Sequence, residues 1–75
     1  MSRLPMLRPR EVIHALGKAG FFVSHQRGSH LYLHHPSDPL LHVTVPMHPG
    51  DVKRGTLRCI LNQAGLTEDE FNRLL

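Results

Sequence analysis

Between Ser29 and Val45 the sequence alternates with a period of two, and no other feature constrains the fold as tightly. In an extended chain Leu31 and Leu33 fall on one side and His30, Tyr32 and His34 on the other. The segment Pro36-Ser37-Asp38-Pro39 is a turn by composition, with two prolines that cannot donate to a ladder. After it the alternation resumes, with Leu41, Val43 and Val45 facing one way and His42 and Thr44 the other. These patterns predict one strand over Ser29–His35 and another over Leu40–Val45, ended by Pro46. A preceding strand is expected over Phe21–Gln26, joined through a tight turn at Arg27-Gly28. The three form an antiparallel meander with an aliphatic inner face and an outer face of histidine and hydroxyl groups.

Helical spacing flanks the meander. Pro9 suits a first helical position because its φ is already helical and its missing N–H is not needed there. Val12, Ile13 and Leu16 then form one apolar stripe, so a helix is predicted over Pro9–Lys18, with Gly20 as its left-handed stop. Gly17 and the two arginines at its N-terminus weaken it, so packing has to hold it. A second helix is expected from about Lys53 or Gly55 to Ala64, burying Leu57, Ile60, Leu61 and Ala64 and capped by Gly65. Thr67 and Glu70 fit a capping box that opens a last short helix burying Phe71, Leu74 and Leu75. The expected architecture is α+β, α-β-β-β-α with a three-stranded antiparallel sheet. Both main helices should cover its aliphatic face, since an antiparallel sheet can leave the other face wet.

With 75 residues, 40% of them hydrophobic, the chain should form one domain with a thin core. The lone Cys59 excludes an internal disulfide and a cysteine zinc site, and its position in the second helix predicts a small core residue. Met1 to Arg10 lacks a signal-peptide apolar region, and no apolar stretch approaches the ~20 residues of a membrane span. The expected location is a reducing cytoplasm. A formal charge of +3 suits a polyanionic partner without proving one. More unusual are the seven histidines, whose type alone titrates unperturbed between about pH 5 and 8.

Two segments could carry chemistry. In Arg27-Gly28-Ser29-His30, Gly28 allows the turn a positive φ and His30 opens a rigid strand, which suits a general acid or base acting on a polymer, with Arg27 beside it for a phosphate. Taken alone, that tetrapeptide is met more simply by a surface histidine next to a turn. In Val45-Pro46-Met47-His48-Pro49-Gly50, His48 leaves the third strand toward the second helix, whose N-terminus is an anion site with Lys53 and Arg54 before it and Arg58 one turn in. Solvation accounts for such cations too, although near a helix N-terminus they carry a small penalty. A metal site is not expected. His30, His34 and His42 share a face, but His34 and His35 point oppositely, and no cysteine or carboxylate completes a ligand set.

In order and spacing, the set Glu11-Val12-Ile13, Gly20-Phe21, Gly28-Ser29-His30, Val45-Pro46-x-His48, Gly55-Thr56-Leu57-Arg58-x-Ile60-Leu61, Ala64-Gly65-Leu66 and Phe71 resembles the HicA toxin family over about Leu4 to Leu75. The resemblance implies a fold similar to a double-stranded-RNA-binding domain. It also implies the toxin of a toxin–antitoxin pair, which cleaves mRNA without a cofactor. The catalytic histidine falls on His30, and the partner is a HicB-type antitoxin that masks it. Arg27, Ser29, His48, Lys53, Arg54 and Arg58 are then the residues expected to contact RNA, with Gly28 shaping the turn. The rival readings are a non-catalytic RNA-binding module and a pure protein-interaction unit. Cleavage specificity, product ends and oligomeric state are not legible in the sequence.

Overall fold

The computed structural model describes residues 4–75; the first three residues of the Met1–Arg10 stretch lie outside it. The element order is α1 (Pro9–Lys18), β1 (Phe22–Arg27), β2 (His30–His35), β3 (Asp38–Pro46), α2 (Arg54–Ala64) and α3 (Glu68–Asn72). The strands form one antiparallel sheet in the order β1-β2-β3. The fold is α+β with the layout of a double-stranded-RNA-binding domain.

α1 occupies the predicted residues. The Glu11 carboxylate accepts from the Arg8 backbone N–H at 2.9 Å, and the reciprocal half of a capping box is absent because a guanidinium has no acceptor. Beyond Lys18 the chain turns through Gly20 at φ +99°, where a Cβ would come within 2.7 Å of His35 Nε2. That ring is held on both sides. Its Nε2–H donates to the Ala19 carbonyl at 3.0 Å, and Nδ1 accepts from the Ser37 backbone N–H at 3.2 Å, so His35 ties the end of α1 to the β2–β3 turn. Phe21 meets it edge to face. Gly20→Ala therefore combines a disfavoured backbone with a collision, and about 1–3 kcal/mol of stability should be lost in chemical denaturation.

The inner face of the sheet supplies Leu33, Val43 and Val45. They pack with Val12, Ala15 and Leu16 of α1, Leu57, Ile60, Leu61 and Ala64 of α2, and Phe71 of α3. Both long helices thus lie on one face. Coverage is uneven, because α1 and α2 pack on β3 while every residue of β1 is exposed. The expectation that the helices cover the whole aliphatic face fails at β1, where Val23, opposite Leu33, remains half exposed.

Other details differ from the pattern-based reading. β1 starts at Phe22 because Phe21 turns into the core, and it runs to Arg27, so the tight turn is Gly28-Ser29 rather than Arg27-Gly28. β3 starts at Asp38, leaving only Pro36 and Ser37 as the turn; Pro39 is tolerated because β3 is an edge strand. Cys59 is exposed and not a core residue. Leu57, Ile60 and Leu61 already fill the buried stripe, and Cys59 sits about 100° around the helix from Ile60. Leu75 is half exposed, whereas Leu74 is partly buried against the core.

At the C-terminal end Gly65 adopts φ +71° and closes α2, and the Thr67 capping box opens α3. The Thr67 N–H donates to Glu70 at 2.8 Å, and the Glu70 N–H donates to the Thr67 hydroxyl at 3.1 Å. Hydrogen bonding to the carboxyl from Thr67, its backbone N–H first and its side chain second, holds Glu70 below its usual range. A lowered carboxyl pKa stabilises the fold above the unfolded value of 4.5, and that contribution disappears as pH falls through the folded value. Wild type should therefore exceed Glu70→Gln in thermal midpoint near neutrality, with the gap closing in acid below pH 4.5. Thr67→Ala, which removes the cap itself, should cost about 1 kcal/mol.

Candidate functional site

The outer face of the sheet, turned away from the helices, holds the residues of interest. Cross-strand pairing arranges them in three rows. Arg27, His30 and Pro46 form the row at the β1–β2 turn; His25, Tyr32 and Thr44 form the middle row; Phe22, His34 and His42 form the far row. The middle row depends on a bulge. Between Val23 and His25 the register slips by one residue, with Ser24 as the extra. Without the slip His25 would point inward; with it the imidazole stacks on Tyr32, centroids 4.6 Å apart and planes 10° from parallel.

His30 is exposed as the first residue of β2, with Arg27 opposite it on β1 and Pro46 opposite it on β3. The turn before it is firm. Gly28 takes φ +55°, and the Gln26 side-chain amide donates to the Gly28 carbonyl at 3.0 Å. The Met47 backbone N–H donates to the Ser29 carbonyl, which fastens the start of the following loop beside the turn. In that loop His48 is exposed. A groove of about 410 Å³ separates the loop from the start of α1, with Arg8, Arg10, Glu11, Met47 and His48 among its walls.

The expected site residues therefore divide. Arg27, Ser29 and His30 come together, and Met47 brings the His48 loop to them. Lys53 is the exposed residue preceding α2, and Arg54 donates through Nε to the Leu4 carbonyl at 3.1 Å, pinning the N-terminal segment. Arg58 faces Glu68 of α3 across 3.4 Å in an open ion pair. Among the described residues no hydrogen bond or ion pair links these three cations to the His30 row. Arg8 and Arg10 were missed as site candidates. Their signal was the helix-weakening charge at the start of α1, a penalty that packing alone does not require. His25 was also missed, because its outward aim comes from the bulge. Among the described residues no three His, Cys, Asp or Glu side chains gather as a metal site, and no helix is long and apolar enough to cross a membrane.

The sequence model of the HicA toxin family, the toxin of bacterial toxin–antitoxin pairs, matches residues 9–66. The chain belongs to the HicA toxin family. The matched segment runs from the first residue of α1 to two residues past α2, so it contains the entire sheet, the Gly28-Ser29-His30 turn and the His48 loop. α3 follows it. As a HicA toxin the chain is one half of a toxin–antitoxin pair, and an antitoxin is its expected partner. No curated protein matches the chain.

Proposed function

We propose that this HicA toxin is a metal-independent endoribonuclease that acts on mRNA in the cytoplasm, with His30 as the proton carrier. The observation that carries the reading is the turn row: an exposed imidazole on a hydrogen-bonded strand with a guanidinium directly opposite. As a base, His30 accepts the proton of the hydroxyl that attacks phosphorus; as an acid, it supplies a proton to the oxygen that leaves. Arg27 holds the phosphate, and Ser29 or the backbone N–H groups of the turn offset charge that builds on its free oxygens. His48, Lys53, Arg54 and Arg58 extend the phosphate contacts along the flanking loop and α2, and Arg8 and Arg10 join them through the groove opposite His48. A HicB-type antitoxin silences the enzyme by covering His30.

Purified protein incubated with end-labelled RNA in EDTA should yield discrete fragments, and addition of the antitoxin should suppress them. Tight binding with the RNA left intact would favour a non-catalytic RNA-binding module instead. Cleavage that disappears with EDTA and returns with a divalent cation would remove His30 chemistry as a sufficient account.

A further inference from the structure

We propose that the outer face of the sheet is a stacking platform for unpaired RNA bases, so that the substrate presented to His30 is single-stranded. The inference rests on the reading of RNA as substrate given above and goes beyond it by naming the strand state and the residues that select it. Four of the seven histidines, His25, His30, His34 and His42, share this face with Tyr32 and Phe22. Their rings already associate across the strands. His25 stacks on Tyr32, while His34 lies 6.4 Å from Phe22 and 5.9 Å from His42 at tilts of 33° and 36°. Phe22 is half exposed, a large apolar ring left in water on a face that no other element covers among the described residues. Bases stack on such rings whatever their identity, since every base has a π-face.

Spacing and charge decide between an unpaired strand and a duplex. Successive rows along β2 are two residues apart, roughly 6.6 Å, or about twice the 3.4 Å repeat of a stacked nucleic-acid strand. Consecutive bases must be drawn apart to meet successive rows, which an unpaired strand permits and a duplex does not. Duplex RNA is read instead through phosphates and 2′-hydroxyls, which calls for a broad set of cations and polar donors. Among the paired outer positions Arg27 is the only Lys or Arg, and none is Asp or Glu. The face is therefore a ring surface with one guanidinium at its catalytic end. A strand lying along it delivers its backbone to Arg27 and His30.

Tyr32 is the only tyrosine and the chain has no tryptophan, so intrinsic emission reports on this face alone. The full chain carrying His30→Ala, titrated with a short oligouridylate, should lose about half or more of its Tyr32 emission after absorbance correction. The same oligonucleotide annealed to its complement should quench far less and bind more weakly. With labelled oligouridylate, His25→Ala and Tyr32→Ala should each weaken binding by about 5- to 100-fold, the loss of roughly one stacked base, while Tyr32→Phe stays within about two-fold. His25 lies exposed on an edge strand, so its substitution tests the platform even if Tyr32→Ala disturbs the sheet. Unquenched emission with binding intact, tighter binding of duplex, or no RNA binding at all would overturn the proposal. So would ring substitutions that affect only binding of the antitoxin. The two readings fail separately: an absent platform leaves His30 chemistry standing if His30→Ala still abolishes cleavage, and quenching survives if His30 proves dispensable.

Discussion

His30→Ala should reduce RNA cleavage by about 10²–10⁴-fold, the range supplied by a single general acid or base. Growth arrest on expression should vanish with it. The fold should be indifferent to the change, because His30 is exposed and no described hydrogen bond uses its side chain. Stability should stay within about 0.5 kcal/mol of wild type, as for most surface substitutions away from special features. RNA affinity should persist, since phosphate and ring contacts remain. This separation gives the experiment its force. A variant that is folded, binds RNA and does not cleave identifies the imidazole as the group that moves the proton. A variant that still cleaves at near wild-type rate removes His30 from the chemistry and turns attention to His48, the exposed histidine of the adjacent loop.

Phe71→Ala should be the most damaging substitution to the fold. Phe71 is the largest of the fully buried side chains and the only buried residue of α3. Truncating such a ring typically costs about 3–5 kcal/mol through lost transfer free energy and the cavity left behind. A chain of 75 residues at a typical 0.05–0.15 kcal/mol per residue has only about 4–11 kcal/mol in total. The urea midpoint should fall by roughly 2–4 M, and the variant should be partly unfolded at growth temperature. A fall below about 0.5 M would show that α3 does not close the core. The point bears on the family match, which ends at residue 66, before α3. Removal of everything after Leu66 should unfold the protein, because the last helix plugs a core built mostly by the matched segment, with Leu4 and Leu7 before it.

The helices were legible because their signals are local. Pro9 and the Val12, Leu16 stripe marked α1, Gly65 marked the end of α2, and Thr67 with Glu70 marked the start of α3. Strand ends were read less well. Proline was taken as excluding pairing around Pro39, but an edge strand has one side free of partners. Cys59 was assigned to the core from its position in the second helix beside the apolar stripe, although one residue along a helix is a rotation of about 100°.

The candidate site divides in the same way. The period of two between Ser29 and Val45 determined by itself that His30, Tyr32, His34, His42 and Thr44 share one face, since side chains of a strand alternate whatever surrounds them. The order of the family residues likewise marked His30 by sequence alone. Tertiary structure alone decided which other groups stand beside that histidine. The one-residue slip at Ser24 turned His25 outward onto Tyr32, packing of α1 on β3 and the Leu7–Val52 bridge placed Arg8 and Arg10 across a groove from His48, and Arg54 and Arg58 were drawn to Leu4 and Glu68. Register and helix docking are fixed by contacts between segments far apart in sequence, and no local pattern encodes them.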